Sequence, residues 1–246
     1  GAEPHEAGYD LSTSPYVCIP YSIRMPVADQ VRDNADSPPL QPDIEAAELA
    51  TDKIELSLER RVATLISTAG NWTTTASLSS GSLWSADTSD PFGAITTAKS
   101  TIRTATGRYP NTIVMGAAVW DQLVKHPDMV ERLKYTVIGG QITPEQLGAF
   151  FGVGRVLIGT AIYTTVAEGA SFTGTDIWGK DFWIGWVAPR PSLRAPSAGY
   201  VIRHGARITN RIRDDLKYRT VYDVIESTDE VATAADAGYL IEDAVV

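Results

Sequence analysis

A long amphipathic helix is predicted over residues 43–69, and it constrains the fold more than any other segment. The segment contains no glycine and no proline, while Pro42 stands directly before it and Gly70 directly after it. Proline at the start of a helix and glycine past its end are typical bounds. At 1.5 Å per residue this helix would extend over roughly 40 Å, and most globular helices are shorter.

The apolar residues of this segment recur at three- and four-residue steps, which places them on one face of the helix. They are Ala47, Ala50, Ile54, Leu58, Val62 and Leu65. Their spacing drifts away from a strict seven-residue repeat, so a coiled coil is only weakly supported. The pattern favours a central helix that packs against a sheet.

The composition is that of a folded globular protein. The chain has 246 residues, of which 43% are hydrophobic and 21% are charged, enough for one large or two small domains. A net charge of −9 argues against a sequence-independent DNA binder, which would need positive charge to neutralise phosphates. The only cysteine is Cys18, so no internal disulfide or thiolate metal cluster is expected. No apolar run approaches a membrane span and no signal peptide is visible, so no membrane partner is predicted.

The flanking segments are less regular than the helix. Residues 1–37 are interrupted by prolines, and residues 16–27 predict an edge strand or an extended arm because Pro20 removes a ladder donor. Residues 71–91 are rich in serine and threonine but contain Trp72 and Trp84. Because tryptophans favour burial, we predict a loop or short hairpin pinned by these two side chains.

The rest of the chain first alternates between helices and strands and then becomes β-rich. The predicted helices lie at residues 92–107, 117–127, 128–135 and 143–152, and the predicted strands at 112–116, 155–165, 177–189, 200–204, 206–213, 216–227 and 237–246. Asp128 and Thr143 are the expected N-caps of the third and fourth helices. Asp214 and Asp215 are the expected turn of a hairpin.

No catalytic, cofactor-binding or metal site is predicted. His5, His126 and His204 are far apart in sequence and have no partners at metal-ligand spacing. His126 precedes a proline at a predicted helix end, which favours a capping role over catalysis. Residues 152–154 contain two glycines but follow a helix, so a turn is favoured over a phosphate loop.

Two groups of charged residues are candidates for contact between copies of the chain. The basic group surrounds the predicted strand 206–213, whose isoleucines are expected inward and whose arginines are expected outward: Arg203, Arg207, Arg211, Arg213, Lys217 and Arg219. The acidic group lies on the long helix: Glu45, Glu48, Asp52, Glu55 and Glu59. A subunit contact between the two groups and a solvated strand face are equally compatible with the pattern, and nucleic-acid contact is a lesser alternative.

Several segments, taken in order, resemble the major capsid proteins of tailed bacteriophages. These are RYPNTIVMGAAVWDQLVKHPDMVERLKY from residue 108, ITPEQLGAFFGVGRVLIGTAIYTT from residue 142 and DIWGKDFWIGWVAP from residue 176. Upstream, residues 70–95 resemble the tryptophan-containing segment of that family and residues 35–66 its spine helix. The resemblance extends over residues 28–192 and rests on the order and spacing of the segments.

The resemblance implies an α+β fold of the Hong Kong 97 type, with a spine helix, a peripheral β-sheet domain, an axial α/β domain and an extended E-loop. Residues 1–37 would be an arm or the return segment of the E-loop, and residues 38–90 the peripheral domain with the spine helix 43–69. Residues 91–199 would be the axial domain. Residues 200–246 would hold the returning peripheral strands and a C-terminal strand, which is expected to rejoin the axial domain.

The chain departs from the family pattern at its start, where family members usually have more residues. We therefore expect a processed form, a truncated form or a very short arm. Some relatives cross-link an E-loop lysine to a neighbour's asparagine, but no lysine precedes Lys53. We predict no such cross-link from these residues, and covalent dimers or rings on a denaturing gel would contradict this.

The implied function is structural: a major head protein of the virion, assembled in the host cytoplasm, whose hexamers and pentamers form an icosahedral shell. The shell would enclose double-stranded DNA without binding it tightly, and a decoration protein, a portal and a scaffold are further candidate partners. An encapsulin-like nanocompartment shell is the first alternative. An α/β enzyme with a dispersed site is the second.

Overall fold

The computed structural model describes residues 15–35, 41–134, 142–166, 169–192 and 196–246. Its α-helices are α1 (Asp29–Asn34), α2 (Pro42–Ser67), α3 (Pro91–Thr106), α4 (Ala117–Lys125), α5 (Pro127–Leu133) and α6 (Pro144–Phe151). Its first strands are β1 (Ile19–Ala28), β2 (Thr74–Ser77), β3 (Thr112–Gly116), β4 (Arg155–Gly159), β5 (Ile162–Tyr163) and β6 (Thr175–Asp176). The remaining strands are β7 (Phe182–Gly185), β8 (Gly199–Arg203), β9 (Ile208–Asp214), β10 (Arg219–Ala232) and β11 (Gly238–Glu242).

Helix α2 confirms the predicted long helix and packs on a sheet. Pro42 occupies its first turn, where a missing N–H costs nothing. Its buried residues Ala50 and Ile54 form a core cluster with Val224 of β10, and Ile23 and Met25 of β1 pack against that cluster. Burying these apolar groups against the sheet stabilises the helix, since helix propensity alone is a weak contribution.

The sheet beneath α2 is built around the 14-residue strand β10. Strand β1 runs antiparallel along one side, from Ile19 opposite Thr228 to Ala28 opposite Arg219. Strands β9 and β8 pair with successive parts of the other side. Strand β1 is therefore an edge strand, as its prolines predict.

A second sheet has the strand order β2-β11-β7-β3-β4, and strands β5 and β6 form a separate pair. Helices α3 to α6 contribute to the core cluster on one face, which contains the buried residues Ile95, Leu123, Met129 and Leu147. All five residues of β3 are buried, which agrees with its continuous apolar sequence. Strand β11, near the end of the chain, lies between β2 and β7 in this sheet.

The predicted elements between residues 71 and 189 need four corrections. The predicted strand 155–165 is interrupted, giving β4 and the short β5, and only residues 182–185 of the predicted strand 177–189 form β7. Residues 71–91 contain β2, which pairs in parallel with β11 instead of forming a hairpin. Trp72 and Trp84 are nevertheless buried, as predicted. The fourth correction concerns the cap of α5.

His126, and not Asp128, is the N-cap of α5. Its Nδ1 accepts a hydrogen bond from the backbone N–H of Asp128 at 3.2 Å, so the ring proton is placed on Nε2. Nε2 lies 3.2 Å from the carbonyl oxygen of Ala86 and 3.1 Å from the hydroxyl of Ser89. The buried imidazole thus joins α5 to the loop before α3. Its side chain caps the start of α5, whereas the prediction placed it at the carbonyls that end the preceding helix.

Polar contacts join the C-terminal half of α2 to the region of the second sheet. The indole N–H of Trp178 donates to Glu59 at 2.8 Å, and that of Trp72 donates to the carbonyl of Ile66 at 2.8 Å. The guanidinium of Arg60 lies 4.4 Å from the ring centroid of Tyr163. These contacts hold the helix against the region of the second sheet.

Within the described residues, none of the helices combines the length and hydropathy needed to cross a membrane. The same residues contain no group of three or more metal-ligating side chains placed to hold an ion.

Candidate subunit interface

Strand β9 presents its two faces in the opposite sense to the prediction. Ile208, Asn210 and Ile212 lie opposite Ile225, Asp223 and Val221 of β10, on the face of the sheet turned away from α2. Paired residues of antiparallel strands share a face, and Val224, next to them, packs on α2. The arginines of β9 therefore lie on the same side of the sheet as α2, and the predicted half-buried isoleucines are exposed.

Arg207 and Arg203 are paired with carboxylates of their own chain. Arg207 reaches Glu55 of α2 at 2.7 Å and Glu226 of β10 at 2.9 Å. Arg203 lies 3.0 Å from the other oxygen of Glu226, whose side chain is 5% exposed. One basic–acidic pair expected between copies, Arg207 with Glu55, is thus formed within the subunit.

Arg213 and Arg219 also have intramolecular partners. Arg213 donates two hydrogen bonds to Asp29, at 2.5 and 2.6 Å, and one to Asp215 at 2.8 Å. Arg219 donates to Asp214 at 2.9 Å. The bidentate contact ties the β9–β10 hairpin to the start of α1.

Five of the predicted contact residues are exposed and form no ion pair with the part of the chain that the structure describes. They are Arg211, Lys217, Glu45, Glu48 and Asp52. Glu59 is engaged differently, because it accepts the hydrogen bond from Trp178. The charges that remain available to another molecule are therefore two basic groups on the hairpin and three acidic groups on the N-terminal half of α2.

Comparison with known proteins decides the family. Residues 71–183 match the family described as phage major capsid protein E. Over 244 residues the chain is 31% identical to the major capsid protein of Burkholderia phage BcepMu, an alignment that covers 94% of this chain and 75% of that protein. The chain belongs to the phage major capsid protein family.

Solved structures agree with this assignment. The crystal structure of a phage-related protein from Bordetella bronchiseptica RB50 matches with a TM-score of 0.80 and 28% identity, covering 95% of this chain and 78% of that one. A virus-like particle from Pyrococcus furiosus matches with a TM-score of 0.59 at 14% identity, covering 92% and 77%, which shows the fold alone. The capsid protein has the Hong Kong 97 type fold, as the sequence segments indicated.

The sequence did not reveal which acidic residues of this capsid protein hold its arginines. Asp29, Glu226 and Asp223 lie far from their partners along the chain, and no local pattern connects them. The only signal in the sequence is that carboxylates occur in β-rich segments, where a charged side chain is seldom buried without a partner.

The pKa values of Asp29 and Asp43 are lowered by neighbouring arginines. The hydrogen bonds from Arg213 hold the pKa of Asp29 below its ordinary value of 3.8. The hydrogen bonds from Arg32, at 2.7 and 3.1 Å, do the same for the pKa of Asp43. In both cases the arginine favours the charged form of the acid.

We expect the capsid protein to lose stability as the pH falls below about 4, with part of the loss due to Asp29 and Asp43. The folded-state pKa values of Asp29 and Asp43 lie below their unfolded-state value. The stability that these two residues contribute is therefore fully present above the unfolded-state pKa. It is lost as the pH falls through the folded-state values. Urea unfolding between pH 6 and pH 3 should show a shallower pH dependence in Asp29→Asn/Asp43→Asn than in the parent. Asp52→Asn, which removes an exposed acid, should keep the parent slope. Equal slopes for the parent and both variants would show that Asp29 and Asp43 do not cause the loss of stability.

Proposed function

We propose that copies of this capsid protein assemble as hexamers and pentamers into an icosahedral shell that encloses a double-stranded DNA phage genome. The observation that carries the proposal is the 31% identity to the BcepMu major capsid protein over 94% of the chain. Because shell formation requires specific contacts between copies, purified protein should form particles of uniform size in negative-stain electron micrographs. A protein that stays monomeric under all assembly conditions would contradict the proposal.

The two large sheets support the proposed division into domains in part, although β2 of residues 38–90 lies in the second sheet. The peripheral domain would comprise residues 38–90 with α2 and the strands returning from residue 200, and the axial domain residues 91–199. Strand β11 lies in the same sheet as β3, β4 and β7, which supports return of the C-terminal strand to the axial domain. Residues 1–37 would be the arm or E-loop return segment, and residues 1–14 of it lie outside the described part.

Within such a shell, the exposed charges are the proposed contact between neighbouring subunits. Arg211 and Lys217 of the β9–β10 hairpin would meet Glu45, Glu48 or Asp52 of another copy's α2. The remaining predicted residues contribute indirectly, since Arg203, Arg207, Arg213 and Arg219 hold the hairpin in place through intramolecular pairs. A heterologous contact of this kind closes into rings when the rotation between copies is suitable.

The double variant Arg211→Glu/Lys217→Glu reverses the charge of the two basic residues in the proposed contact. It should lower the particle yield by roughly tenfold, because each contact then brings like charges together. A second double variant, Glu45→Lys/Glu48→Lys, should have the same effect, and combining all four changes should restore particles. Lys125→Glu, which reverses an exposed cation on α4, is the matched control and should assemble normally. Sedimentation or particle counting measures the yield; unchanged yield in both double variants would exclude this contact.

The acidic net charge supports an enclosing role and not a DNA-binding one. A shell built from chains with a net charge of −9 would repel the phosphate backbone, which helps a shell that must later release its genome. A catalytic activity is not part of the proposal, and a portal, a scaffold and a decoration protein are the expected further partners. If purified particles contained a protein cargo and no DNA, the encapsulin-like alternative would replace the phage shell.

A further inference from the structure

An apolar groove of about 420 Å³ lies between α2 and the second sheet. Val62, Leu65 and Ile66 of α2 form one wall. The lining also contains three tryptophans, Trp72, Trp178 and Trp183. The volume is within the range of pockets that bind small organic molecules, about 300–1,000 Å³.

The strand register defines the floor of this groove. Trp183, Val114 and Leu157 form one row across β7, β3 and β4, and Gly185, Thr112 and Arg155 form the next row on the same face. Residues between them, such as Ile113 and Ile184, belong to the core on the opposite face. The side chain of Leu157 is 51% exposed, so the groove is open to solvent along β4.

One buried donor on the lining has no acceptor. The indole N–H groups of Trp72 and Trp178 donate to Ile66 and Glu59, each at 2.8 Å. Trp183 is 3% exposed, and its Nε1 has no hydrogen-bond partner among the described residues. That nitrogen is itself shielded from solvent beside Gly238, so a ligand in the groove would contact the indole ring of Trp183 and not its N–H.

The groove offers an anion one cationic contact, Arg155. Both lining carboxylates are engaged within the chain, Glu59 with Trp178 and Glu230 with Arg61. Arg155 is exposed and forms no ion pair with any residue that the structure describes. The groove therefore combines an apolar body with one exposed cation that has no ion-pair partner among the described residues.

We propose that this groove binds an anionic amphiphile: an aromatic or long-chain carboxylate or sulfonate. Its apolar part would cover Val114 and Leu157, and its anionic head would pair with Arg155. Binding would join α2 to the second sheet and raise the unfolding temperature of the subunit with ligand concentration. The groove is expected to bind this ligand both in the free subunit and in the assembled shell.

The test uses the fluorescent probe 8-anilinonaphthalene-1-sulfonate, titrated into the full chain before and after assembly. Leu157→Asp should weaken probe binding by about tenfold, because it removes apolar contact and places a negative charge beside the anion. Arg155→Gln should weaken it by about two- to fivefold, the effect of one exposed ion pair. The matched controls are Leu216→Asp and Lys125→Gln, which lie outside the groove. The side chain of Leu216 is 94% exposed, and both variants should bind the probe as the parent does.

Val201→Asp provides a second disruption if Leu157→Asp fails to fold, because Val201 lines the groove and is 42% exposed. Nitrogen-15 spectra should show one indole N–H signal moving on addition of the probe or of dodecanoate, and Trp183→Phe should lack that signal. The proposal is overturned if the groove variants bind as tightly as the controls or if the Trp183 signal stays in place. It is equally overturned if assembled shells exclude the probe, since a neighbouring copy would then fill the groove.

Discussion

Replacing Gly238 by alanine should destabilise the subunit by about 3 kcal/mol, although the change adds a single methyl group. A Cβ at this position would lie 2.4 Å from two ring carbons of Trp72 and 2.8 Å from Nε1 of Trp183. Both tryptophans are buried, and their ring centroids are 5.3 Å apart. Because Trp72 is also held by its hydrogen bond to Ile66, the ring cannot move away without losing that bond.

The measurement is urea unfolding of the unassembled subunit, and Gly70→Ala is the matched control. A Cβ at Gly70 meets no atom within 4 Å, so that variant should differ from the parent by less than about 1 kcal/mol. Combining Gly238→Ala with Trp72→Leu should cost less than the sum of the two single changes, because the smaller side chain removes the clash. Equal stability of Gly238→Ala and Gly70→Ala would show that the tryptophan pair is not rigidly packed.

The sequence predicts best those features that are encoded by neighbouring residues. Helix α2 begins at Pro42 and continues through a run without glycine. Helix α6 follows the predicted N-cap Thr143, whose side chain forms a capping box with that of Gln146. The apolar run of β3 predicted a buried strand correctly. In each case the residues that determine the structure lie within a few positions of one another.

The orientation of β9 could not be predicted because its sequence is ambiguous. Alternating isoleucines and arginines fit either face, and burial of the isoleucines is the usual outcome. Here the arginines turn toward α2 because carboxylates from distant segments, Asp29 and Glu55, lie on that side. The role of Gly238 is equally invisible in sequence, since it depends on two tryptophans brought together by the fold.

The predicted contact residues illustrate the same limit. Arg207 and Glu55 have complementary charges, as expected, but they meet within one chain. Sequence complementarity does not distinguish a contact within a subunit from one between subunits. The structure separates the residues that form ion pairs from the five that form none among the described residues, and reversing the charges of those five breaks no ion pair within the subunit.

Removing the side chain of Arg61 should cost about 3 kcal/mol of folding stability, because it leaves the carboxylate of Glu230 buried without its cation. The guanidinium donates to both oxygens of Glu230 at 3.1 Å, to Thr228 at 2.9 Å and to Ser57 at 2.9 Å. It also lies 3.6 Å from the ring centroid of Tyr21. The side chains of Arg61 and Glu230 are 22% and 9% exposed, so water screens the pair only partly.

Three variants separate the charge from the geometry of this contact. Arg61→Lys retains the charge but loses the bidentate contact, so we expect about half the loss in stability of Arg61→Ala. The double variant Arg61→Ala/Glu230→Ala should be more stable than Arg61→Ala alone, because no buried charge is then left unpaired. Lys53→Ala, at an exposed position of the same helix, should change stability by less than about 0.5 kcal/mol. If Arg61→Ala behaved like Lys53→Ala in urea unfolding, α2 would be held on its sheet by apolar packing alone.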